Sequence, residues 1–302
     1  MSRPRVVLIL SCNYSGSHLL CQMLGAHSAC ADIGELRNLP KFAASRGPNV
    51  SGTEHSYLDD PLFHDFDRLP LARWHDVLLS RIRAEDPAAN VLVDNSKRLD
   101  WAAQLVARAD LDVRCIHLLR DPRALARRWQ KTFAEPRQKR RIRLREAKRQ
   151  WRCALAVLRA REPELYAWRW LRENAAITHF LQRYRVEAPV LSYEELLRAP
   201  ERTLQQLMRE LDLPFEAQQL EYWRARQYGT RKTQWLADRP ADPFRLDLRW
   251  QQALSPEDAA GVIGRSELRD YAAARGYRFG RDGLEALQQP DHSTLFPGSE
   301  AN

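Results

Sequence analysis

Long apolar runs are missing from this chain. The first hydrophobic stretch, Val6 to Leu10, is far too short for the core of a signal peptide or for a membrane span. Cysteine is sparse: five residues, at positions 12, 21, 30, 115 and 153, odd in number and without CxxC spacing. That pattern argues against a disulfide framework and against a zinc site. Cys115 falls in an apolar run and reads as a small core residue. A soluble, reducing, cytoplasmic setting is the expectation. Glycine is scarce too, at 12 in 302 residues, so each one is worth locating. No Walker A loop (GxxxxGK[ST]) occurs, which leaves a P-loop kinase without its lysine and Mg²⁺ ligands. No Asp/His cluster at ligand spacing suggests a metal. There is no RNP, zinc-finger or homeodomain signature and no internal repeat.

What is present is enough apolar material for a core, 44% of residues with nine Trp, and an excess of positive charge. The formal charge is +9 and the sequence pI about 9.6. Such a balance attracts anions, whether nucleic acid, an acidic membrane or a phosphorylated or sulfated small molecule. Charge alone does not choose among them.

Three short runs read as buried strands: Arg5–Ser11 (RVVLILS), Asn90–Asp94 (NVLVD) and Val113–Leu119 (VRCIHLL). A weaker fourth is Ala188–Ser192 (APVLS). Helical patterns follow at Ser17–Ala26, Leu99–Arg108, Ala124–Lys131 and Pro200–Leu211. Alternation of this kind implies βαβ units and a parallel sheet, hence an α/β fold with the ligand site at the carboxyl ends of the strands. Residues 41–75, rich in Pro, Gly, Ser, His and Asp, read as a lid or acceptor-binding loop. Residues 137–184 read as a helical insertion, with Pro163 at a break or a new first turn. Residues 1–287 form one domain in this reading, and 288–302 a frayed tail.

Three strand ends carry chemistry. The first runs into Cys12-Asn13-Tyr14-Ser15-Gly16-Ser17-His18-Leu19-Leu20. Its tight turn into an apolar helix is either a plain N-capped connection or an anion site built from free helix N–H groups and the Ser15 and Ser17 hydroxyls. The third strand ends in Arg120-Asp121-Pro122-Arg123, where Asp121 suits an N-cap and Pro122 a first helical position. Arg120 there either binds phosphate with its guanidinium fork or pairs with a carboxylate. Asp94-Asn95-Ser96-Lys97 puts Lys97 at the second strand's end, as a solvated turn lysine or a group reaching the same crevice. All three lie on one edge of one sheet.

In this order the segments resemble the family of sulfotransferases that use 3′-phosphoadenosine 5′-phosphosulfate (PAPS), bacterial and Golgi-type members in particular. Ser15–Leu20 is similar to the family's 5′-phosphosulfate loop, His117–Arg123 to its 3′-phosphate motif and Asp94–Lys97 to its DSSK segment. Leu191–Leu196 with Pro200 resembles the YEDL…P segment, and Ala26–Ser28 with Gly34–Arg37 resembles AHP…GE. Gly229–Lys232 and Asp247–Trp250 are looser matches to a basic segment and a D-x-x-W. The resemblance implies a P-loop-NTPase-like fold, a central parallel sheet flanked by helices with helical insertions. It also implies PAPS as donor, with adenosine 3′,5′-bisphosphate as product.

Carried over residue by residue, Ser15, Gly16, Ser17, His18 and Leu19 hold the phosphosulfate. Arg120, Arg128, Arg231 and Lys232 take the 3′-phosphate, and Tyr193 the adenine end. Lys97 neutralises the leaving group, and Glu35 is the base, with His18 its competitor. No metal is required. Two departures stand out: Tyr14 where many members carry Lys or Arg, and Arg128 where many carry Ser. The acceptor, a hydroxyl or amine on a small molecule, glycan or lipid, is not specified, nor is the oligomeric state. The rival readings are a bisphosphate-binding protein without transferase activity and a basic nucleic-acid binder. The latter draws on Arg137–Arg149, with eight bases and one acid, which otherwise reads as a solvated helix face or a dock for an acidic acceptor. Trp129, Trp151, Trp168 and Trp170 recur around this run and are mostly explained by core packing.

Overall fold

A computed structural model describes residues 3–40, 61–226, 228 and 242–287. Two compact units emerge: one from the residues up to Arg120 together with Arg172–Leu246, the other from Asp121–Leu171 together with the residues from Asp247 onward.

The first unit is built on a five-stranded sheet of order β2-β3-β1-β4-β5. Its strands are β1 (Arg5–Ser11), β2 (Cys30–Gly34), β3 (Val91–Asp94), β4 (Asp112–Leu119) and β5 (Val190–Ser192). Every pairing is parallel. Both faces are buried, and the strands show it in their alternation. Val6, Leu8 and Leu10 of β1 join one apolar cluster, with Ala31, Ile33, Leu92 and Cys115. Val7 and Ile9 join the opposite one, with Val91, Val93, Ile116 and Leu118. Continuous apolar runs are what such doubly covered parallel strands require.

Helices cover both faces. On the first face lie α2 (Trp74–Glu85), α3 (Leu99–Val106) and the far end of the long helix described below, through Leu78, Ile82, Trp101, Leu105, Ile177 and Phe180. On the second lie α1 (Ser17–Gly25) and α9 (Pro200–Glu210), through Leu20, Leu24, Leu204 and Met208. The short α8 (Tyr193–Arg198) leaves β5 directly, capped by Ser192, whose Oγ accepts from the Glu195 N–H at 3.0 Å.

The second unit holds α4 (Pro122–Thr132), α5 (Pro136–Arg149), α6 (Ala154–Arg159), the first half of α7 (Glu162–Tyr184), α10 (Arg249–Ala253), α11 (Pro256–Ile263) and α12 (Ser266–Ala273). An antiparallel pair, β6 (Tyr277–Gly280) and β7 (Gly283–Ala286), completes it. Pro163 does sit in the first turn of a new helix, α7. Trp129, Trp168 and Trp170 are core residues; Trp151, 72% exposed, is not.

The strands and helices expected from the sequence are present within two residues at nearly every end. Within the five-stranded sheet, β2 is the strand not foreseen. Its sequence, CADIG, has a single β-branched residue and a buried Asp32, yet all five residues are buried. α1 packs so closely on β2 that a Cβ on Gly25 would come within 2.6 Å of the Asp32 Cβ and 2.8 Å of its backbone N. Gly25→Ala is therefore expected to cost about 1–3 kcal/mol through overpacking against backbone that cannot yield. Urea unfolding of the two proteins measures it.

Candidate active site

Because all five strands are parallel, their carboxyl ends share one edge, and the residues singled out from the sequence follow those ends closely. β1 leads into Cys12–Ser17, β2 into Glu35, β3 into Asn95–Lys97, β4 into Arg120 and β5 into Tyr193.

The β1–α1 turn reverses tightly. Tyr14 (φ 72°) and Gly16 (φ 89°) both take left-handed backbone, and the Ser15 N–H donates to the Cys12 carbonyl at 3.3 Å. Gly16 is the N-cap of α1, with no side-chain cap and no acidic residue in the first turn. A Cβ at Gly16 would meet Tyr193 ring atoms at 2.2 and 2.7 Å, so only glycine satisfies both the backbone angle and the close approach. The Ser15 Oγ is buried and has no hydrogen-bond partner among the described residues. An orphaned hydroxyl beside an uncapped helix start is a cradle of donors that suits an anion.

Beside it lies a connected polar cluster. Lys97 Nζ donates to Glu35 Oε1 at 2.6 Å and to Ser17 Oγ at 3.1 Å. His18 Nε2 meets the same Glu35 oxygen at 3.1 Å, and its Nδ1 faces Asn95 Nδ2 at 3.1 Å. Asn38 Nδ2 donates to the other Glu35 oxygen at 2.6 Å. Burial opposes ionisation of Glu35, but the hydrogen bond from His18 and the charge and hydrogen bond of Lys97 outweigh it. Its carboxyl is held well below the usual carboxylate range.

Lys97 itself has left-handed backbone (φ 59°), an arrangement the surroundings must enforce. Asp94 does much of this: Oδ1 accepts the Ser96 N–H at 2.7 Å, while Oδ2 takes Trp101 Nε1 at 2.9 Å and His75 Nε2 at 3.1 Å, all buried. The Asn95 N–H donates to the Gly34 carbonyl at 3.0 Å, and Ser96 Oγ accepts the Arg37 N–H at 3.0 Å, tying the ends of β2 and β3 together.

Arg120 Nη1 donates to the Tyr14 carbonyl at 2.7 Å, and its guanidinium lies over the Tyr193 ring at 4.2 Å. Tyr14 thus contributes a carbonyl that orients one cation, while Lys97 brings another to the loop at Ser17. Asp121 caps α4, its Oδ1 accepting the Arg123 N–H at 2.7 Å, and both its oxygens are held by the Arg123 guanidinium. Arg123 also donates to the Gly280 carbonyl at 2.6 Å and stacks on Trp250 at 4.2 Å, so the motif's second arginine, with the tryptophan of Asp247–Trp250, is structural.

Ser15, Gly16, Ser17, His18, Glu35, Lys97, Arg120 and Tyr193 are thus linked within the first unit, with Leu19 in the first turn of α1. Arg128 stands exposed on α4, in the second unit. Arg231 and Lys232, and residues 41–60 of the expected lid, lie outside the described residues. Sequence reasoning assigned no role to Asn38 or Asn95, which grip the Glu35–His18 pair. The i, i+3 spacing of Glu35 and Asn38 across a 3₁₀ turn was the available signal. Burial pushes the thiols of Cys30 and Cys115 up to about 12 and that of Cys21 upward as well, so none of these three serves as a thiolate. Among the described residues no three His, Cys, Asp or Glu are grouped to hold a metal ion, and no helix is long and apolar enough to cross a membrane.

A helix-flanked parallel sheet with an uncapped β1–α1 turn at its carboxyl edge defines the P-loop-like α/β class. Residues 4–217 match the sulfotransferase family, and the chain belongs to that family. Among solved structures it resembles the sulfotransferase domain from the curacin biosynthetic pathway, at 21% identity and TM-score 0.51, over 90% of this chain and 98% of that one. It also resembles the sulfotransferase domain of the Synechococcus PCC 7002 olefin synthase, at 18% identity and TM-score 0.51, over 87% and 94% of the two chains. Both share its fold. No curated protein matches the chain.

Glu35 supplies a test of the cluster. A carboxyl depressed in the folded state stabilises the fold above its ordinary value of 4.5 and loses that contribution as pH falls toward the folded value. The stability gap between wild type and Glu35→Gln is expected to shrink as pH is lowered from about 6 to about 3. Denaturant titrations across that range measure it.

Proposed function

We propose that the chain transfers the sulfuryl group of PAPS to an acceptor hydroxyl or amine by in-line displacement, in a bacterial cytoplasmic setting. The observation that carries this reading is the convergence of an uncapped, orphan-bearing anion cradle with Lys97 and Glu35 in one hydrogen-bonded cluster. The residues fit the donor. Ser15, Gly16, Ser17, His18 and Leu19 hold the phosphosulfate with backbone N–H groups and hydroxyls, and Arg120 takes the 3′-phosphate. Arg231 and Lys232 add charge for that phosphate, and Tyr193 borders the adenine end. When bound, PAPS supplies the sulfuryl group and leaves as adenosine 3′,5′-bisphosphate.

In-line transfer spreads charge over oxygens, so the protein's work is positioning and electrostatics. Lys97 turns its ammonium from Glu35 toward the anion. Glu35, relieved of that cation, regains basicity and takes the acceptor's proton, a role typically worth about 10²–10⁴ in rate. His18 donates from Nε2 to Glu35 and accepts from Asn95 at Nδ1, which orients the carboxylate rather than competing with it. The acceptor belongs to a small molecule, glycan or lipid.

Calorimetric titration with adenosine 3′,5′-bisphosphate and with 5′-AMP tests the cofactor site. Wild type is expected to prefer the bisphosphate, and Arg120→Ala to lose about 10–100-fold in affinity for it, as fits loss of a charge-assisted hydrogen bond. Equal binding of the two nucleotides by folded protein defeats the assignment. In transfer assays with PAPS, Glu35→Gln is expected to slow turnover by about 10²–10⁴ without weakening bisphosphate binding, because the substitution releases Lys97 from its internal counter-ion. Tight bisphosphate binding with no transfer to any hydroxyl or amine acceptor would instead mark a nucleotide-binding protein.

A further inference from the structure

The helical pair α5 and α6 in the second unit carries a surface that sulfuryl transfer does not use. Along α5, Arg137, Arg140, Arg141, Leu144, Arg145 and Lys148 fall at i, i+3, i+4, i+7, i+8 and i+11, one continuous stripe, and all are exposed. The opposite side turns inward, with Ile142, Glu146 and Ala147 buried. From residue 136 to 159 Glu146 is the single acidic residue. The surface therefore presents positive charge alone, extended by the exposed Arg149, Arg152 and Arg159.

Set into this charge are large apolar side chains in the open: Leu144 at 53% exposure, Trp151 at 72%, Leu155 at 68% and Leu158 at 40%. Leu155 and Leu158 stand at i and i+3 on α6, and Trp151 lies in the 3₁₀ turn that leads into it. Fraying does not account for them, because the pair is locked. Arg143 donates to the carbonyls of Val157, Leu158 and Ala160 at 3.0, 3.0 and 2.6 Å, closing the end of α6 against α5. Lys139 is held by Glu162 at 2.9 Å.

We propose that this face docks the protein onto an anionic lipid bilayer, with the arginines and lysine at the headgroup level and Trp151, Leu155 and Leu158 inserted just below. A basic polar face beside exposed Trp and Leu is the composition of an element that lies in the membrane interface. A second copy of the chain is disfavoured, since two such faces bring only like charges together. Nucleic acid would satisfy the arginines but leave the exposed leucines without a role.

Sedimentation of the full chain with vesicles of phosphatidylcholine alone and of phosphatidylcholine mixed with phosphatidylglycerol tests the inference. Wild type is expected to partition to the mixed vesicles, less so as salt rises. Each basic residue brought to an anionic surface contributes about fivefold. The pair Trp151→Ser with Leu155→Ser and the pair Arg140→Glu with Arg141→Glu should each reduce partitioning about tenfold or more, with unchanged melting curves because all four positions are exposed. The proposal is overturned if wild type does not distinguish the two vesicles, or if the apolar pair binds mixed vesicles like wild type. It is equally overturned if the chain binds a single-stranded oligonucleotide but not vesicles, which would assign the face to nucleic acid.

Discussion

In a parallel sheet every strand runs the same way, so every strand leaves its last residue on one edge, and helix starts gather there as well. The candidate site of this protein is a direct product of that constraint. The β1–α1 turn, Glu35, Lys97, Arg120 and Tyr193 come from five separate stretches of chain and share no local sequence context. Parallel pairing brings them together. The two clusters on either face of β1 fix the sheet, and the sheet fixes the edge.

Fine positioning then comes from local devices that differ from strand to strand. At β1 it is the left-handed backbone of Tyr14 and Gly16, with the Tyr193 ring pressed where any Cβ would stand. At β3 the buried Asp94 carboxylate gathers a backbone N–H, an indole and an imidazole, and so holds the strained turn that presents Lys97. At β4 the work is divided: Arg123 builds the helix start with Asp121, leaving Arg120 to lean on the Tyr14 carbonyl and the Tyr193 ring. Substituting Tyr14 for a cation therefore does not strip the loop of charge, since Lys97 arrives from another strand.

Most of this fold was legible because doubly buried strands must be predominantly apolar, and RVVLILS and VRCIHLL are. CADIG was not. Its small residues and central Asp32 give no β signal, and only the tertiary setting, with Gly25 admitting the helix to within touching distance, makes it a strand. That one element explains why Glu35 was reached through family resemblance rather than through strand logic, unlike Lys97 and Arg120. The partners of Glu35 were also hidden. Nothing in the spacing of His18 and Lys97 along the chain announces that they converge on one carboxylate. The sequence groups Trp151 with the core tryptophans for a related reason: an aromatic residue among helical tryptophans reads as core, and only the fold shows it exposed.

The carboxylate at the centre of that convergence has a consequence for how the resting protein meets the ions around it. Lys97 spends the resting state neutralised by an internal counter-ion at 2.6 Å, with a hydroxyl as its second ligand. Any dissolved anion that would recruit it must first evict a tethered carboxylate, which is present at an effective concentration no free solute matches. Small monovalent ions are poorly equipped for that exchange. A molecule gripped at several points along the sheet edge is far better equipped, so the cluster behaves as a latch that opens to multipoint attachment rather than to charge alone.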